Sequence, residues 1–77
     1  MQVSYYKKGR KYEPIDVIND WELGFNLGNA VKYISRVGRK SSDTNQSLMD
    51  IDKAIDYLQY ERKMILNYQK EIIDGNS

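Results

Sequence analysis

The chain has 77 residues, a formal net charge of +1, and neither cysteine nor histidine. That length allows one domain with a small core. The missing residue types exclude disulfides, thiol nucleophiles, thiolate or imidazole metal sites and a histidine base. A net charge so close to zero argues against a duplex nucleic acid partner held by bulk charge. No stretch approaches about 18 consecutive apolar residues, and the N-terminus lacks the apolar run of a signal peptide. The expectation is a cytoplasmic protein with no membrane partner.

Residues 1–13 read as an irregular arm, basic through Lys7, Lys8, Arg10 and Lys11 and interleaved with Tyr5, Tyr6 and Tyr12. Pro14 suits the first turn of a helix, where its fixed φ helps and its missing N–H costs nothing. A short helix is predicted over 14–23, interrupted by Gly24. A second is predicted over 26–37, with Asn26 as N-cap and Gly38 as its stop. Leu27, Ala30, Val31 and Ile34 trace its buried stripe. Residues 38–46 read as a polar loop.

Ser47 then reads as the N-cap of a long helix over 47–73, about 40 Å at 1.5 Å per residue. It carries two stripes. Leu48, Ile51, Ile55, Leu58, Ile65 and Ile72 form one, with Ala54 and Leu66 at its edges; Tyr57, Tyr60, Met64 and Tyr68 form the other. They are centred about 130–150° apart. Two short helices can cover one stripe but not both. A compact monomer of this length has a radius of gyration of about 11–12 Å, so the long helix must protrude or meet another chain. The predicted fold is all-α: two short helices on one long C-terminal helix, assembled as a homo-oligomeric helical bundle. Tyr60, Met64, Ile65, Tyr68 and Ile72 are the expected interface, which assigns assembly to the C-terminal half.

On the second helix, Asn29, Lys32 and Arg36 share the face opposite the stripe, flanked by Tyr33 and followed by Arg39 and Lys40. Arginine grips phosphate through a planar fork, lysine adds a point charge, and asparagine reads base or ribose edges. Tyr6 and Lys8 of the arm, with Lys53 and Tyr57 of the long helix, extend this set to a candidate nucleotide site. The same residues also suit a solvated helix face whose cations complement the dipole, and the tyrosines suit an oligomer contact. No P-loop is present. Asp16 and Asp20 make at most a weak magnesium pair. No catalytic residue, metal site or cofactor is expected.

The segments Tyr12-Glu-Pro-Ile-Asp-Val-Ile18, Leu23-Gly-Phe-Asn-Leu-Gly-Asn-Ala-Val-Lys-Tyr-Ile-Ser-Arg-Val-Gly-Arg-Lys40 and Asp52-Lys-Ala-Ile-Asp-Tyr-Leu58, with Trp21, resemble a small phage protein family. It was long of unknown function, and its members are often described as nucleotide kinases because one coliphage relative is a nucleoside monophosphate kinase. The resemblance covers roughly residues 4–62. It implies a phosphorylated nucleotide as partner and an infected bacterial cell as setting. Family members commonly carry His-Tyr where this chain has Tyr5-Tyr6, and the kinase relative is much longer. Both departures favour binding without turnover, such as sequestration of a cyclic or ADP-ribose-type defence signal. The alternatives are a nucleoside monophosphate kinase and a protein that inhibits a host enzyme by direct contact.

Overall fold

The computed structural model describes residues 10–39 and 43–75. Its elements are helices α1 (Pro14–Asp20), α2 (Phe25–Arg36) and α3 (Thr44–Gly75). Among the described residues there is no strand, and no helix is long and apolar enough to cross a membrane.

Pro14 opens α1 at the first helical position, preceded by Glu13 in extended backbone. The Glu13 amide donates to Asp16 Oδ2 at 2.9 Å, which satisfies one of the donors that a helix start leaves open. The helix ends at Asp20, three residues before the predicted limit. Glu22 takes a φ of 55°, in the left-handed region. Leu23 N donates to Ile18 O at 3.0 Å and Glu22 N to Asn19 O at 3.2 Å. These two bonds define a Schellman stop. Gly24 therefore does not break α1; it is the N-cap of α2.

That shift changes the role of Asn26. It lies in the first turn of α2 rather than at the cap, and its side-chain amide donates to Glu61 Oε1 at 3.3 Å and Met64 Sδ at 3.2 Å on α3. Gly38 stops α2 as predicted, with a φ of 71°. Its amide donates to Ser47 Oγ at 3.2 Å. Ser47 thus ties the α2–α3 connection and does not cap α3. The cap is Asp43, whose Oδ1 accepts from Asn45 N at 2.9 Å and whose carbonyl accepts from Ser47 N at 3.1 Å. With 32 residues, α3 is about 48 Å long at 1.5 Å per residue. The molecule is accordingly elongated, 53 × 28 × 17 Å with a radius of gyration of 16.0 Å.

α2 lies between the other two helices. On one side Gly28 meets α1 so closely that a Cβ there would stand 3.3 Å from Ile18 Cγ2. On the other side α3 runs antiparallel: Asn26 reaches Glu61, Tyr33 meets Tyr57, and Arg36 meets Asp50. Ala30, 2% exposed, and Ala54, 4% exposed, are the buried hydrophobic residues among those described. Small side chains let the two helix backbones approach closely.

This packing keeps Ala30 of the predicted α2 stripe buried and Leu27 and Val31 half-buried, but departs from the stripe at its end. Ile34, expected in the buried stripe of α2, is exposed. The aliphatic stripe of α3 is also outside, from 41% exposure at Ile51 to 58% at Ile65. The face of α3 that meets α2 is instead Asp50, Ala54, Tyr57 and Glu61. It sits one residue earlier in the sequence, about 100° round the helix. Tyr60, Met64, Ile65, Tyr68 and Ile72, the expected interface residues, are all exposed in the single chain.

Candidate functional site

The contact between α2 and α3 brings aromatic and cationic side chains to one edge. The rings of Tyr33 and Tyr57 stack with centroids 6.0 Å apart and planes 14° apart. Tyr57 also meets Phe25 edge-on at 5.8 Å and Tyr60 edge-on at 6.0 Å. Lys32 Nζ and Arg36 Cζ each lie 5.5 Å from the centroid of the Tyr33 ring. Electron-rich ring faces attract such cations. Residues three and four apart on α2, Tyr33 with Arg36 and Phe25 with Asn29, are placed side by side by the helix itself.

Arg36 was predicted on a free outer face. The structure places it partly inward: its Nε is 3.6 Å from Asp50 Oδ1, with the aspartate side chain 3% exposed and that of Arg36 19%. Gln46 Nε2 also donates to Asp50 Oδ1, at 3.1 Å. Asp50 Oδ2 and Arg36 Nε are buried with no hydrogen-bond partner. Asp50 is therefore the positioning group for Arg36. Sequence spacing does not single out Asp50, because its cation lies on another helix.

Of the other predicted residues, Lys32 and Lys53 are exposed and Asn29 is half-buried. The Asn29 amide donates to Phe25 O at 2.8 Å, which orients its side chain along the edge of α2. Arg39 follows the helix end near Arg10. Tyr6, Lys8 and Lys40 lie outside the described residues. Arg10, read only as part of the basic arm, proves to be a docking residue: its guanidinium donates through Nη2 to Ser35 O. Burial, and then the charge of Arg39, hold the Arg10 pKa below its ordinary value. A basic residue on the last turn of a helix also complements the dipole there. Beside this cationic end, Pro14, Ile15 and Ile18 face Lys32 and Ser35 across an apolar cleft of about 280 Å³.

Chemically, the edge offers π faces for a planar base and cations for phosphate oxygens. Among the described residues no group of three or more carboxylates could hold a metal ion.

Fold and site together define a small helical protein with an aromatic and cationic surface at a helix–helix edge. The chain belongs to a family described as a protein of unknown function (DUF3310), whose model matches residues 2–59. The match takes in the whole of that edge up to Tyr57 and stops before Met64. No curated protein and no solved structure matches the chain.

Proposed function

We propose that this chain is a homo-oligomeric nucleotide-binding protein that holds a phosphorylated ligand, of cyclic or ADP-ribose type, without turnover. In a phage-infected cell it would sequester such a defence signal. The observation that carries the reading is the pair of cations, Lys32 and Arg36, against the one Tyr33 ring that stacks on Tyr57. A base stacks on the exposed rings of Phe25 and Tyr60, and phosphate oxygens meet Lys32 and Arg36. The Asp50 contact lies at the Nε edge of the Arg36 guanidinium, which suits the terminal nitrogens for phosphate.

The test is thermal denaturation of the full chain against a panel of cyclic nucleotides, ADP-ribose and nucleoside mono- and triphosphates. A binder raises the Tm in proportion to ln(1 + [L]/Kd). The expected result is stabilisation by at least one phosphorylated nucleotide, its loss in Lys32→Ala, and recovery of the intact ligand after heating. Conversion of a monophosphate to a diphosphate in the presence of a triphosphate would replace this reading with the kinase. Silence across the whole panel would leave a protein-binding module.

A further inference from the structure

α2 and α3 run antiparallel, so each side of the hairpin collects residues from both helices. Residues one position after the packed ones stand about 100° further round their helix. In an antiparallel pair that rotation carries both sets to the same side. Ile34 of α2 therefore shares a side with Leu48, Ile51, Ile55, Leu58 and Ile65 of α3, and all of these except the half-covered remainder of their stems are exposed to solvent. Residues one position earlier, including Lys32 and Lys53, lie on the opposite side. The hairpin has an aliphatic face and a separate polar face that carries the candidate site.

The aliphatic face has a coiled-coil register. Leu48, Ile51, Ile55, Leu58, Arg62, Ile65, Gln69 and Ile72 alternate spacings of three and four residues, the seam by which two helices interdigitate. We infer that this face is an antiparallel two-fold contact with a second copy of the chain, centred near Asp56 and Tyr57. The inference rests on the self-association in the proposed function and is independent of nucleotide binding.

Three observations select a second copy. The first is the core: Ala30 and Ala54 are the buried hydrophobic residues among those described, far too little side-chain burial to hold a domain of this size. The face must be covered when the chain folds, and the partner always present then is another copy. The second is area. Half-exposed aliphatic side chains leave roughly 80 Å² each, so six supply roughly 500 Å² per copy and about 1,000 Å² per pair, where specific interfaces begin. The third is charge. A parallel pair would set Arg62 against its own copy in the seam. An antiparallel pair centred on the stretch that packs against α2 sets Leu48 opposite Ile65, Ile55 opposite Leu58, and Arg62 beside Asp52 of the second copy. The polar face stays open, so each copy holds a whole site. This moves the weight of assembly from the C-terminal half of α3 to its first half.

Sedimentation equilibrium of the full chain gives the mass, and the lack of native cysteine makes single-cysteine variants clean reporters of direction. Leu48→Cys and Ile65→Cys are prepared separately, mixed and mildly oxidised. Residues 48 and 65 are about 25 Å apart along one helix, and a disulfide needs Cα atoms within about 7 Å. The expected results are twice the 9.1 kDa chain mass and a mixed Leu48→Cys/Ile65→Cys disulfide as the dominant product. A monomeric mass would overturn this inference and the self-association in the proposed function together. An oligomeric mass with each variant linking only to itself, or with no link, would overturn the inference alone.

Discussion

The buried pair of Asp50 and Arg36 carries the sharpest energetic prediction. At 3.6 Å, opposite unit charges attract by about 4–5 kcal/mol at an effective dielectric of about 20. Desolvation of a carboxylate that is 2% exposed offsets most of that gain, and Asp50 Oδ2 finds no hydrogen bond. The pair is therefore worth little against an apolar replacement, but removal of one partner strands the other. Asp50→Ala leaves the Arg36 guanidinium, which is only partly exposed, without its counter-charge and Gln46 without its acceptor. A fully buried pair would lose about 3–5 kcal/mol; discounting for the exposed part of Arg36 gives about 2–3 kcal/mol. Arg36→Met should cost about 2–3 kcal/mol for the converse reason. The double variant Asp50→Ala/Arg36→Met should cost no more than either single, about 2–3 kcal/mol rather than the additive sum of about 4–6 kcal/mol, giving a coupling of about 2–3 kcal/mol. Urea denaturation at fixed protein concentration reads this as a shift in midpoint at constant m. Single variants within about 0.5 kcal/mol of the parent, or simple additivity in the cycle, would refute the argument.

Other perturbations follow from local geometry. Glu22→Gly removes a side chain from the left-handed region at φ 55° and should stabilise by about 0.5–1 kcal/mol, checked by the same denaturation. Asp43→Ala removes the α3 cap at Asn45 and should cost about 1 kcal/mol, whereas a cap at Ser47 would make that substitution silent. Gly28→Val places a branched side chain against Ile18 and should cost about 2 kcal/mol or more, with Trp21 fluorescence shifting as α1 detaches. Lys32→Ala should lower nucleotide affinity about tenfold in calorimetric titration without changing the denaturation midpoint.

Much of the helical plan is legible in the sequence because its punctuation is local. Pro14 can open a helix but not continue one, and Gly38 accepts the left-handed stop. The caps were harder because competing residues stand close together. Gly24 and Asn26 both suit a helix start, as do Asp43 and Ser47, and local preference does not choose between them. Which face of α3 turns inward could not be read from the sequence, for a longer-range reason. The helix carries two seams one residue apart, and the aliphatic one is the more hydrophobic. What decides is the close approach allowed by Ala30 and Ala54 and the pairing of Asp50 with Arg36, which are properties of two helices together. For the same reason Lys32, Tyr33 and Tyr57 could be grouped from their sequence positions, while the carboxylate that holds Arg36 could not be assigned to it.

The proposed binding of a phosphorylated nucleotide at the Tyr33–Tyr57 edge is tested most directly by an amide ¹H–¹⁵N NMR titration of the full chain with ADP-ribose and with cyclic nucleotides. The predicted result is saturable shifts for Phe25, Lys32, Tyr33, Arg36 and Tyr57, with the amides of Leu48 and Ile55 unmoved. Shifts confined to the cleft of Ile15 and Ile18, or no shifts with any nucleotide at millimolar concentration, would contradict it.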